Sequence, residues 1–379
     1  MMRILLVSHS PSDPNGGASR VYHLLEQGLR ERGHTVKTLH WEDLQVGPAA
    51  DKVVSRLLLP QAVSRRASKE DIASFDVIMS SSGMLYPLYR KWKGVRQRPL
   101  LVAHLHGSSF FDHQTRLNEA MRGHMSLSWI YRHVTGPLPV HWDAEGSRYA
   151  DLTIAQNSRD MDLIAESTTN PVVIVPLTVH PEILAAGHST VSPEEKDPYS
   201  LLWFGTWVER KGCYYVPNAF KAIVARHPQA KLSIWGTGMD ERSLLNHFDP
   251  SLHARISSIP RISREQQVSE YARHSIVLFP SISEGFGFAL LEAMSMGLAA
   301  VTTNSGLGCD WLEDRQNAII IPPSSSVHLA RGANLLIEEN ALRQRLAHRG
   351  QELARTFTFE RMIDTYEATF EEHRRHRAR

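Results

Sequence analysis

Ser283-Glu284-Gly285-Phe286-Gly287-Phe288-Ala289-Leu290-Leu291-Glu292-Ala293-Met294-Ser295-Met296-Gly297 is the stretch whose reading decides the fold of this chain. The run before it, Ser275-Ile276-Val277-Leu278-Phe279-Pro280, is apolar and β-branched, ends in proline, and reads as a buried strand. Residues 288–296 are rich in Leu, Ala, Met and Glu, all good helix formers. A strand, a two-glycine turn and a helix start make an anion site, because the first N–H groups of a helix point outward without intrahelical partners. Glu284 and Glu292 flank that site. Carboxylates do not bind phosphate, but each accepts hydrogen bonds from sugar hydroxyls. The segment therefore points to a ligand that is part diphosphate and part polyol.

The same alternation of short apolar run and amphipathic stretch extends over most of the chain. Strands are expected at 3–8, 35–39, 77–80, 100–105, 152–155 and 172–175, and again at 201–204, 231–235, 276–279, 300–303 and 318–321. Helical patterns lie between them, among others at 19–32, 216–226, 264–272 and 327–340. This is the pattern of α/β, doubly wound parallel sheets. A polar stretch at 185–199, with Gly187, Pro193 and Pro198, reads as an interdomain linker. In open α/β sheets ligands lie beyond the carboxyl ends of the strands, so two such halves are expected to hold a substrate in a cleft and to close on it. No repeat with a solenoid period is visible.

Composition narrows the function classes. A chain of 379 residues exceeds the size of one core, so two domains are expected. A net charge of +2 gives no argument for nucleic acid as a partner. Cys213 and Cys309 are the only cysteines and have no metal-type spacing, which excludes a disulfide scaffold and fits a reducing compartment. The run Ile4-Leu5-Leu6-Val7 turns polar at Ser8 and reads as a first strand rather than a signal peptide. No apolar run reaches the roughly 18 residues of a membrane span. A cytoplasmic location is expected.

Further motifs fall at expected strand ends. Asn15-Gly16-Gly17 follows the first strand, and paired glycines let a backbone approach a ligand closely; an ordinary βα turn explains the pair equally well. His104 and His106 share a face of the fourth strand by its period of two, and His106 is nearer the strand end, where it can hydrogen-bond a phosphate or a hydroxyl. Metal binding is the sharper alternative, but no third ligand accompanies the pair, and with 20 histidines in the chain a chance pair is a further explanation. Gly205-Thr206-Trp207-Val208-Glu209-Arg210-Lys211-Gly212 brings adjacent cations to a βα loop, where they suit a pyrophosphate better than a solvated turn. Trp235-Gly236-Thr237-Gly238 resembles the start of a dinucleotide fingerprint but has Glu241 in place of the third glycine, so it reads as a turn beside a flat ligand such as a nucleobase. Residues 89–98 and 121–133 gather basic and aromatic side chains, and Trp129 and Tyr131 beside Arg122 and Arg132 suit a membrane surface. A solvated helix face explains each of these clusters separately. The tail arginines Arg374, Arg375, Arg377 and Arg379 are expected to be frayed.

With these residues in view, the chain resembles the retaining glycosyltransferases of the GT-B fold, in the large family 4 of group 1 glycosyl transferases, over nearly its whole length. Glu284-Gly285-Phe286-Gly287-Phe288 through Glu292-Ala293-Met294 matches the family's Glu-x7-Glu motif. Lys211-Gly212 is similar to its diphosphate-binding pair, Gly16-Gly17 to its N-terminal glycine loop, and His106-Gly107 to its central histidine. The resemblance implies two Rossmann-like domains, acceptor-binding at 1–185 and donor-binding at 200–355, with a helix or tail at 356–379 packing back toward the first. It implies a UDP- or GDP-sugar donor and a glycan, lipid-linked or small-molecule acceptor, in cell-surface polysaccharide or glycoconjugate synthesis, with no cofactor or metal and a peripheral place at the inner face of the membrane.

By the same resemblance His106 and Glu284 are the catalytic pair. Gly16, Gly17, Gly205, Arg210, Lys211, Gly236, Gly285, Phe286, Gly287, Phe288, Ala289 and Glu292 bind the donor, Glu292 at the ribose and Lys211 at the diphosphate. Two departures stand out. Thr206 occupies a place where many relatives carry a second phosphate cation, for which Arg210 is a substitute, and alanine replaces a common proline after Gly297-Leu298. A degenerate binding or scaffold subunit and a nucleotide-sugar epimerase are the alternatives; an NAD oxidoreductase ranks last because the third fingerprint glycine is absent.

Overall fold

The computed structural model describes residues 1–14, 16–44, 57–189 and 192–378, so Asn15, Arg379 and residues 190–191 of the expected linker lie outside the described residues. The chain divides into two units: Met1–Leu177 with Phe359–Arg379, and Thr178–Thr358.

The first unit is built on β1 (Arg3–Val7), β2 (Thr35–Leu39), β3 (Val77–Ser81), β4 (Leu100–His104), β5 (Leu152–Ala155) and β6 (Val172–Ile174), joined in the order β2-β1-β3-β4-β5-β6. All neighbours run parallel, with Ile4 opposite Val77 and Val77 opposite Leu100. β3 and β4 are buried along their whole length, as continuous apolar strands are when helices cover both faces of a parallel sheet.

The second unit repeats the plan with β7 (Ser200–Phe204), β8 (Lys231–Trp235), β9 (Ile256–Ile259), β10 (Ile276–Phe279), β11 (Ala299–Thr303) and β12 (Ile319–Ile321), in the order β12-β11-β10-β7-β8-β9 and again parallel. Its core joins Leu201 and Trp203 of β7 to Phe220, Leu278, Val301 and Leu336. The architecture is α/β with two doubly wound parallel sheets, as the strand pattern predicts. β9 was not expected: Ile256-Ser257-Ser258-Ile259 is short and half polar, and it forms at the sheet edge.

Two expectations are corrected. The described residues of 185–199 are not a linker but part of the second unit. A helix spans Pro181–Ser189, and buried Lys196 donates to the carbonyls of Tyr271, His274 and Met296 at 3.0, 2.9 and 2.8 Å. The Pro and Glu that mimic a linker form a short 3-10 turn at Pro193–Glu195, and the Ser192 hydroxyl before it donates to the Glu194 carboxylate. Nor are the described tail arginines frayed. They lie on the helix Phe359–Ala378, where Arg374 pairs with Asp76, Arg375 with Glu371, and Arg377 donates to the Arg98 carbonyl. Further up the same helix Tyr366 hydroxyl meets His104 Nε2 at 2.7 Å and Glu367 meets His34 at 2.9 Å. Ile363 and Phe359 cover Gly28, where a Cβ would come within 2.3 Å of Ile363. No described helix is long and apolar enough to cross a membrane.

Candidate active site

In the second unit β7 and β10 are neighbours, so the loops that follow their carboxyl ends meet. The Ile282 N–H donates to the Arg210 carbonyl at 2.7 Å, which sets the register between the loops. Gly212, at φ +67°, lies where a Cβ would stand 2.1 Å from the Pro280 carbonyl oxygen; only glycine allows this approach. The result brings Lys211 Nζ onto Glu284 Oε2 and Arg210 Nη1 to 4.0 Å from Glu284 Oε1. Ser281 Oγ donates to the same carboxylate at 3.4 Å, and the ammonium of Lys211 lies 5.2 Å from the Phe279 ring centroid. Burial pulls the Glu284 pKa upward, but Lys211 and then Arg210 outweigh it, so the group stays ionised below the ordinary carboxylate value.

The turn after Glu284 does what its sequence predicts. Gly287 adopts φ +96° and the helix Phe288–Ser295 begins at the next residue. Phe286 is buried against Phe288, Trp311 and Phe357, each ring pair 5.6 Å apart, so the turn is anchored by its aromatic side chain. Glu292 lies one turn into the helix, 2% exposed, with Arg264 Nη1 3.5 Å from its Oε1. Gly205 closes the group on the β7 side, at φ +128° and in van der Waals range of the Lys211 stem. Gly236 and Gly238 follow β8 at φ +73° and +78°, with open space where a Cβ would be. Thr206 is exposed.

The first unit carries the remaining expected residues. His106 stands two residues past β4. Its ring is 4.5 Å from that of His104, 5.5 Å from Tyr22 and 6.4 Å from His9, and its Nε2 is 3.3 Å from Ser81 Oγ. Ser81 in turn donates to the Tyr22 hydroxyl at 3.0 Å, so its oxygen accepts from a protonated His106 Nε2, leaving Nδ1 as an acceptor. Burial, then His104 and His9, push the His106 pKa well below its ordinary value, and the imidazole is neutral at pH 7. His104 itself is buried, with a pKa lowered to about 3. Gly16 is the N-cap and Gly17 the first residue of the helix Gly17–Glu31, which also carries Tyr22.

Thus Gly205, Arg210, Lys211, Glu284 and the 285–289 turn form one group, with Glu292 on the helix that follows. Ser281, Arg264, His9, Tyr22 and Ser81 complete the surroundings without having been expected. Ser281 is only three residues from Glu284, but the others lie far in sequence from the residue they touch, and the fold brings them together. Among the described residues no group of three or more His, Cys, Asp or Glu is arranged to hold a metal ion.

Residues 188–353 match the family described as glycosyl transferases group 1. Over 376 residues the chain is 25% identical to the lipopolysaccharide core biosynthesis glycosyltransferase LpsE of Rhizobium meliloti, covering 95% of this chain and 97% of LpsE. Other curated glycosyltransferases match over shorter stretches, 53%, 41% and 45% of their own lengths. Among solved structures, sucrose-phosphate synthase from Thermosynechococcus elongatus superposes with a TM-score of 0.76 at 15% identity, covering 98% of this chain and 99% of that one. HepE of Anabaena, in complex with UDP and glucose, superposes with a TM-score of 0.64 at 17% identity, covering 98% and 100%. Residues 188–353 thus share the likeness to group 1 glycosyl transferases, and the fold of the chain is GT-B.

Proposed function

We propose that the protein is a retaining, family 4 glycosyltransferase that moves a sugar from a UDP- or GDP-sugar to a glycan, lipid-linked or small-molecule acceptor in polysaccharide or glycoconjugate synthesis. The observation that carries this reading is the meeting of Lys211 and Arg210 with Glu284 beside the Gly287 turn. In the free protein the carboxylate pairs with the two cations and leaves one positive charge over. A bound diphosphate takes over that role, aided by the amides of Phe288 and Ala289, and releases Glu284 toward hydroxyls of the transferred sugar. Arg210 supplies the second cation that Thr206 does not. Glu292, oriented by Arg264, accepts from the ribose hydroxyls. Neutral His106 is assigned to the transferred sugar, where Nδ1 accepts from a hydroxyl.

The chemistry then asks for charge stabilisation and positioning. The bond from the anomeric carbon to the diphosphate oxygen breaks, the acceptor oxygen attacks from the same face, and the departing phosphate oxygen takes the acceptor's proton. Lys211 and Arg210 meet the charge developing on the diphosphate, so the reading needs no metal. The UDP and glucose held by HepE, at fold-level similarity, support a nucleotide-sugar donor. Exposed Trp129 and Ile130, near Arg132, support a peripheral contact with the inner face of a membrane, where a lipid-linked acceptor would be presented; stronger pelleting with anionic vesicles than a Trp129→Ala variant would test that part.

Calorimetric titration with UDP, GDP, ADP and their sugars tests the main reading. One nucleotide series should bind, and Glu292→Ala should weaken it by about 10- to 100-fold, the worth of a charged hydrogen bond. Turnover of the matching donor should persist in excess chelator. A wild-type protein that binds none of these nucleotides would falsify the assignment.

A further inference from the structure

We propose that Asp143 and Asp160 are positioning residues for sugar transfer: their carboxylates fix the turn 106–109 and thereby aim His106. The inference rests on the role assigned to His106 above. β4 ends at His104, and the chain then turns sharply through Gly107 at φ +112° before the helix Ser109–Met121 begins. Two N–H groups of this turn are held by carboxylates from different helices. The Ser109 N–H donates to Asp143 Oδ2 at 3.1 Å, from the helix Pro137–Tyr149. The Ser108 N–H donates to Asp160, from the helix Ser158–Ala165.

The helix's own cap, Ser108 Oγ, takes only the Phe110 N–H, at 3.2 Å, so the Ser108 and Ser109 N–H groups are left to the two aspartates. Both carboxyls are buried, 4% and 3% exposed, and Asp143 Oδ1 has no hydrogen-bond partner. Burying a carboxylate without full hydrogen bonding is costly, and such groups are retained where they perform a task.

Each carboxylate is itself immobilised. The helix carrying Asp143 rests backbone to backbone on the end of β3. A Cβ on Gly83 would lie 1.7 Å from the Trp142 carbonyl oxygen, and one on Gly146 would lie 2.7 Å from Gly83 Cα. Ser82, beside Gly83, is held at φ +47°, a left-handed conformation that this packing over-determines. Asn157 orients Asp160 from two sides, its Nδ2 donating to Asp160 Oδ2 at 3.0 Å and its Oδ1 accepting from the Asp160 N–H at 2.8 Å. The rigid sequence runs from β3 and β5 through the two carboxylates to the turn, and from the turn to the His106 ring on Ser81.

The test is steady-state kinetics on Asp143→Ala, Asp160→Ala, their asparagine counterparts, His106→Ala and the double variant His106→Ala/Asp160→Ala. Each alanine variant should lose about 10- to 100-fold in kcat, the cost of a misplaced group, while the donor KM changes by less than about twofold. Asparagine keeps an acceptor oxygen and should restore most of the rate. In the His106→Ala background Asp160→Ala should cost nothing more. Should the alanine proteins fail to fold, Ser109→Pro removes the same bond from its donor side. Proline is tolerated at a first helical position, and Ser108 is already extended at φ −75°, ψ 125°; the same fall in kcat is expected. Wild-type kcat in the aspartate or proline variants beside an impaired His106→Ala overturns the positioning role alone, as do losses that multiply with that of His106→Ala. A fully active His106→Ala removes the histidine's assigned role, and the inference with it.

Discussion

Glu284 shows how one residue's chemistry depends on backbone that lies elsewhere in the sequence. Its stem packs against Gly306, which follows β11 and holds φ +55°; a Cβ there would come 2.7 Å from the Phe286 carbonyl oxygen and 3.0 Å from Glu284 Cγ. Gly306→Ala should therefore strain the backbone and push Glu284 off the Lys211 ammonium, lowering donor turnover by about tenfold or more. Gly33→Ala is the control. Gly33 also has a positive φ, +83°, but with open space around it, and its substitution should cost only about 1 kcal/mol of stability with unchanged turnover. Equal turnover in the two variants would remove the steric argument. Glu284 and Glu292 were legible in the sequence because their spacing spans a turn whose glycines and helix formers declare themselves. Gly306 and Arg264 were not. Their proximity comes from strand order and helix placement, and no local pattern of residues encodes either.

Among elements, those read with least error are the buried strands. β5 and β10, buried along their whole length, have the expected limits, since an apolar run between turn residues admits few other structures; β2 and β8, which carry exposed residues, have theirs as well. Edge strand β9 escaped because its central serines break the pattern, and 185–199 misled because turn and capping residues are also linker residues. The helix Phe359–Ala378 is the informative case. Its charged composition alone says surface or tail, yet Met362, Ile363, Tyr366 and Phe370 are buried in the first unit. A chain ended after Thr358 would bare these contacts on Gly28, leave His104 without the Tyr366 hydroxyl, and expose apolar surface worth several kcal/mol at about 25 cal/mol per Å². Such a truncation should abolish or strongly lower the melting transition of the first unit while the second, Thr178–Thr358, still unfolds cooperatively. Differential scanning calorimetry of the truncated and full chains separates the two; an unchanged first-unit transition would count against the helix as a structural part of that unit.

At the scale of the molecule, a net charge of +2 hides two opposed sets of buried titratable groups in the first unit. Burial lowers the pKa values of His9, His40, His104 and His106, so the unfolded chain binds more protons than the native one as pH falls below about 6.5, and these groups make stability rise with pH. Burial acts on Asp143 and Asp160 with the opposite result, raising them to about 6 and about 7 from an ordinary 3.8. The native carboxyls then keep protons that the unfolded chain has lost, and each subtracts stability as pH rises through that window. The two sets partly cancel, and the cost of ionising Asp143 and Asp160 at neutral pH is a cost of fixing the 106–109 turn. Replacing both aspartates by asparagine removes one side of the balance while keeping acceptor oxygens at the Ser108 and Ser109 N–H groups. Between about pH 4.5 and 6, unfolding free energies from urea titrations should then rise more steeply with pH than in the wild type, by an additional slope of about one and a half protons. A double variant with the wild-type slope would mean that these carboxyls are already ionised in the native protein across that range, and the burial argument for their protonation would fail.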